Sequence, residues 1–125
     1  MRLKGQVTAE YLFLLSVVVL LLGVSIYSLS KIKWAEERIY LSEKAVAVAK
    51  DIAAAGDEVC ALGDGNSRIL HVDNVMVSCA GDAVFVSAGA GKAEGKLSYC
   101  EVDCAEGEYS GEVSVENVGG RVRLS

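Results

Sequence analysis

The residues of this chain able to act as nucleophiles, ligands or proton carriers are few and scattered. Four cysteines, Cys60, Cys79, Cys100 and Cys104, and one histidine, His71, make up its soft-ligand complement. Four thiolates suit tetrahedral zinc, but Cys60 and Cys79 stand alone instead of forming a knuckle pair, so disulfides are the expected state and no metal is expected. Four cysteines allow three connectivities. Cys60 with Cys79 and Cys100 with Cys104 is the favoured one, provided segment 100–104 turns. Four extended residues span about 13 Å, whereas bridged α-carbons lie within about 7 Å. His71 stands near Asp73 on a strand-like run without a companion nucleophile and reads as a solvated or core-edge histidine. The run Gly89-Ala90-Gly91-Lys92-Ala93-Glu94-Gly95 fails the phosphate-loop pattern, because the first glycine is missing and Ala93 follows the lysine, and it misses the dinucleotide pattern by one residue. No cofactor is expected, and an enzyme is the least supported class. No Asn-x-Ser/Thr sequon is present in the sequence.

The elements that would position any site are more informative. The chain has 125 residues, room for one small domain plus an extended element, with 12 Lys+Arg against 17 Asp+Glu and a net charge of -5. An acidic chain without a basic run lacks the electrostatic footprint for phosphate backbones, so nucleic acid is not an expected partner. Residues 11–30 contain no charge, and fifteen of these twenty are apolar. A helix of that length rises about 30 Å, the thickness of a hydrocarbon core, and predicts a membrane span. It exceeds the roughly 7 to 15 apolar residues of an ordinary secretory signal.

Ahead of the span stands Met1-Arg2-Leu3-Lys4-Gly5, a short basic leader, then Gln6-Val7-Thr8-Ala9-Glu10. A carboxylate at the mouth of a membrane helix is unusual, since an acid at the helix centre costs roughly 2.5 to 3.5 kcal/mol on insertion scales. A snorkelling interfacial acid near a helix N-terminus is the plain account. The run Lys4 to Glu10, with Leu14 further on, resembles the class III signal peptide of archaeal type IV pilin-like proteins. The resemblance implies cleavage between Gly5 and Gln6 by a prepilin peptidase, loss of leader 1–5, and retention of the helix. It also implies that Glu10 serves in assembly. Thr8 stands where serine is common in the family. Archaellins usually lack this glutamine and glutamate pair, which favours adhesive pilins. The implied partners are further copies of the chain in a homopolymeric filament, the prepilin peptidase, an assembly ATPase and membrane platform protein, and membrane lipid before assembly. The implied location is the cell membrane for the single-pass precursor, then an extracellular surface filament. Arg2 and Lys4 before the span are matched by Lys31 and Lys33 after it, so charge leaves topology open. Four cysteines suit an oxidising compartment.

Residues 31–55 contain neither glycine nor proline and continue the helix; Gly56 is its expected stop. The expectation is one helix over 6–55, roughly 75 Å long. Two apolar stripes run along its outer half: Ile32, Ala35, Ile39, Val46, Ala49 and Ala53 on one side, and Trp34, Leu41, Ala45, Val48 and Ile52 on the other. A helix lying on one small domain needs one apolar face, so the second calls for another partner, unless the head buries both. Beyond Gly56, branched runs at 68–72, 75–79, 83–87, 96–100, 111–115 and 121–124 predict strands, with turns between them at hairpin lengths. Segment 88–95 is small and glycine-rich and reads as a mobile loop. The fold class is therefore α+β: a long hydrophobic helix and a small antiparallel β head over 57–125. The function expected is that of a structural pilin subunit for adhesion or surface attachment. The rival class is an uncleaved, membrane-anchored extracellular binding module.

Overall fold

The computed structural model describes residues 2–125, with side chains from Gly5 onward; Met1 and the side chains of the basic leader residues Arg2 and Lys4 lie outside the described residues. One helix, α1 (Arg2–Leu62), is followed by six strands: β1 (Ser67–Ala80), β2 (Ala83–Ala88), β3 (Gly91–Lys96), β4 (Glu101–Cys104), β5 (Gly107–Val118) and β6 (Arg121–Leu124). The class is α+β. The chain divides into two compact units, the first ending at Glu37 and the second Arg38–Ser125. The first unit is helix alone. The second holds the rest of α1 and the sheet.

The helix runs past Gly56, which was expected to end it. Gly56 is there for space: a methyl group built on it would stand 2.6 Å from Leu97 Cδ2. The stop is Gly63, whose φ of 96° is left-handed, and whose N–H donates to the carbonyl of Cys60 at 3.3 Å. The last carbonyls of a helix need outside donors. The Asn66 side-chain amide supplies one to Leu62 and Gly63, each at 3.0 Å, and the buried Asn117 amide donates to the carbonyl of Val59 at 3.1 Å.

The sheet order is β3-β2-β1-β5-β6-β4. Neighbours are antiparallel except β4 and β6, which run parallel, so the sheet is mixed and not wholly antiparallel as expected. Three strand expectations also change. The two runs separated by Asp73-Asn74 are one strand, β1, because those residues form a bulge opposite β5 in place of a hairpin turn. Segment 88–95 is not a loop, since β3 pairs with β2 along its length, from Ala83↔Lys96 to Ala88↔Gly91. Of the run at 96–100, Lys96 ends β3 and residues 97–100 are a connection, and the strand after it is β4.

One face of the sheet packs on the second unit's part of α1. Val75, Val77, Val84, Val86, Val115 and Val122 lie in one buried cluster with Ala45, Ala49, Ile52 and Val59 of the helix. The spacing 45, 49, 52 and 59 keeps those four on one helix face, while alternate residues of the strands turn inward. Burying such side chains stabilises by roughly 1.5 to 3 kcal/mol each before entropy is counted.

Two disulfides complete the head, and neither is of the favoured pairing. Cys60 bonds Cys100, and Cys79 bonds Cys104. The condition for a Cys100 to Cys104 bridge fails because β4 occupies the interval: an extended strand holds its two ends too far apart. Each of these cysteines instead faces another element, Cys100 the last turn of α1 and Cys104 the end of β1, with Cα separations of 6.2 and 5.8 Å.

Candidate functional site

The residues of α1 singled out by sequence lie on two surfaces.

The first unit is a helix without an interior. Every described residue from 5 to 37 is exposed. Within α1, the stretch apolar enough to cross a membrane has a mean hydropathy of 2.6 and is 0% buried. Its serine hydroxyls are satisfied internally. Ser16 donates to the carbonyl of Phe13, Ser25 to Leu21, Ser28 to Val24 and Ser30 to Ile26, at 2.7 to 3.0 Å. Thr8 likewise donates to the carbonyl of Gly5 at 2.8 Å. A segment surrounded by hydrocarbon must satisfy its polar groups within itself, and the backbone and serines of this one do so through the helix ladder and these back-bonds.

Gly5 and Gln6 lie in the first turns of α1, and nothing stands within 4 Å of a methyl group built on Gly5. Glu10 is exposed, one turn beyond Gln6 on the same helix face, about 6 Å along the axis. Ile32 and Trp34 are also exposed, at 59% and 70%.

The second surface is the helix face of the head. Ile52 is buried, and Leu41 and Val48 are packed against the core, while Ile39 and Val46 remain 59% and 39% exposed. The division is not quite that of the two stripes. Ala49 and Ala53, grouped with Ile39 and Val46 by sequence, are buried with Ala45. Alanines at 45, 49 and 53 follow one another by a single turn, and β3 needs them to be small. A methyl on Gly91 would meet the Leu41 carbonyl oxygen at 2.5 Å, and one on Gly95 the Ala49 carbonyl oxygen at 2.4 Å. Strand backbone lies directly on helix backbone there. The glycine-rich run that fails as a phosphate loop is a packing surface. Its legible signal was Gly91-x-Ala93-x-Gly95, small residues at period two, opposite alanines at period four.

The remaining polar groups form scattered contacts. His71 Nε2 lies 3.4 Å from Glu112 Oε1 with both side chains exposed, and Lys44 reaches Asp73 at 3.4 Å. Arg68 pairs with Glu58. Tyr109 donates to the carbonyl of Ala105 at 2.8 Å, and burial pushes its hydroxyl above the ordinary tyrosine pKa. Among the described residues no three His, Cys, Asp or Glu side chains are grouped to hold a metal ion. Compared with protein-family models, curated proteins and solved structures, the chain matches none of them.

Proposed function

We propose that this chain is a structural subunit of an archaeal type IV pilus-like surface filament, held in the membrane by its helix and then polymerised, with adhesion or surface attachment as its purpose. The observation that carries the reading is the helix itself: uncharged over residues 11–30, exposed on every side, with its serine hydroxyls bonded internally. In water such a surface requires cover, which lipid supplies to a precursor and like helices supply in a filament core. The Gly5-Gln6 junction and Glu10, which resemble the class III signal peptide, distinguish this reading from that of a permanent anchor. The open face bearing Ile39 and Val46 adds a second place for a neighbouring subunit.

The test is the mature N-terminus. Intact-mass measurement of sheared extracellular filaments is expected to find a chain beginning at Gln6, and replacing Gly5 with a bulky residue should leave precursor in the membrane, because a peptidase must approach the backbone closely. Chains that begin at Met1 and stay in the membrane fraction would select the uncleaved, membrane-anchored binding module.

A further inference from the structure

We propose that Tyr27, Lys31 and Trp34 form a one-sided anchor to phospholipid headgroups at the C-terminal end of the span. The inference rests on the reading that this helix resides in a membrane before assembly. The three residues are spaced by four and then three positions, which places them on one face of the helix. All three are exposed, and the Lys31 ammonium lies 5.5 Å from the centroid of the Tyr27 ring.

Their depth follows from the helical rise of 1.5 Å per residue. The uncharged run ends at Ser30. Tyr27 is therefore about 4.5 Å inside that end, and Trp34 is about 6 Å beyond it. A headgroup layer is roughly 5 to 8 Å deep on each side of a hydrocarbon core of about 30 Å. The two aromatic rings thus straddle the boundary between acyl chains and headgroups, where an amphipathic ring gains from both media. Between them Lys31 is attached by a flexible apolar stem that can lie along the helix while its ammonium reaches a phosphate. Lys33 adds a second positive charge on another flank of the helix, within the reach of an anionic surface. Aromatic rings, lysines and the end of a membrane-length apolar run coincide here, and lipid headgroups are the partner that matches all three. A protein neighbour would have to supply carboxylates opposite Lys31 and Lys33 as well as an apolar surface for the rings, and would leave their coincidence with the end of the apolar run unexplained.

Trp34 is the only tryptophan in the chain, so its fluorescence reports the site directly. The full chain is reconstituted in vesicles of phosphatidylcholine and phosphatidylglycerol, and insertion is scored separately by flotation and resistance to alkaline extraction. Trp34 emission is then quenched with phosphatidylcholines brominated either near the ester end or near the methyl end of the acyl chain. The expected result is emission blue-shifted from its value in water, with stronger quenching by the shallow bromines than by the deep ones. In Lys31→Glu the shallow quenching should fall and access of aqueous iodide to Trp34 should rise, the more so with more phosphatidylglycerol. If the chain floats and resists extraction while Trp34 is unquenched by either lipid, or is quenched mainly by the deep bromines, the anchor is refuted and the membrane reading stands. An unchanged depth of Trp34 in Lys31→Glu removes Lys31 from the anchor. Failure to float at all overturns the membrane reading, and the anchor with it.

Discussion

The same substitution at two positions of α1, Ile52→Lys and Ile39→Lys, is expected to separate folding from assembly. Ile52 is 1% exposed within the head's core, while Ile39 is 59% exposed. Truncating a buried isoleucine costs about 2 to 5 kcal/mol, and placing an ammonium there adds the cost of an unpaired buried charge. The sum is comparable to the whole stability of a small domain, about 5 to 15 kcal/mol. A domain of this size loses about 4 to 8 °C in Tm per kcal/mol, so Ile52→Lys should lower the melting temperature by at least about 15 °C or abolish the transition. Ile39→Lys changes an exposed position to a good helix former, with Glu36 and Glu43 one turn to either side, and should stay within about 0.5 kcal/mol of the parent. Its consequence should instead be a folded, processed subunit that fails to enter filaments. Circular dichroism melts of the processed subunit in detergent measure the first quantity, and the yield of sheared, sedimentable filaments measures the second. An equal fall in Tm for both variants would refute the division into a head-facing and an open side. Normal filament yield from Ile39→Lys would remove the open side from assembly.

Three further outcomes are expected. Non-reducing peptide mapping should recover Cys60 joined to Cys100 and Cys79 joined to Cys104, and four free thiols or bound zinc would contradict the head as described; with loops of 40 and 25 residues, the chain-entropy estimate is about 3.9 and 3.5 kcal/mol for each bridge taken alone. Gly95→Ala should destabilise the head by about 1 to 3 kcal/mol, because the added methyl meets helix backbone and not a movable side chain, whereas Gly107→Ala, with nothing within 4 Å, should be nearly silent in the same urea titration. On the proposed pilin reading, Glu10→Gln should leave processing and abundance unchanged but stop polymerisation: cleavage would leave a positive amine on Gln6, a filament core would make an unpaired charge cost several kcal/mol, and Glu10 of an adjacent subunit would offset it. Wild-type filament yield from this variant would return Glu10 to the role of an interfacial acid.

The class of the fold was legible because its largest signal is not local. Twenty-five further residues without glycine or proline, 31–55, after an apolar run leave little choice, and the period-two valines of β1, β2 and β5 announce a half-buried sheet. Reading glycine for its backbone freedom alone succeeded at the turns of Gly81 and Gly119-Gly120 and misled at Gly56 and in segment 88–95. Gly56 and the Gly91/Gly95 pair are selected by what lies against them, Leu97, Leu41 and Ala49, and those contacts are distant in sequence. The true cap, Gly63, depends likewise on Asn66 and Asn117, the latter more than fifty residues away. The disulfide pairing failed for a related reason: a four-residue strand between Cys100 and Cys104, paired in parallel with β6, has almost no signature of its own. Of the candidate site, Glu10 and the Gly5-Gln6 junction rest on a short motif alone, to which the fold adds only their exposure at the start of α1. The division of the helix into open and covered faces needed the sheet.

The internally bonded serines of the span have an energetic consequence for any filament built from it. Serines that ask nothing of their surroundings are nearly indifferent to whether those surroundings are acyl chains or the side chains of like helices, since one hydrocarbon is much like another. For the apolar interior of the span, moving from membrane to fibre is then close to a level transfer, with no serine hydroxyl to be resatisfied on the way. The direction of travel must be imposed by groups that do discriminate between the two settings, such as a charge requiring a counter-charge, or by work done on the subunit from outside. The span would serve as a bearing surface, and by the same argument the transfer could be run backward, returning subunits to the lipid intact.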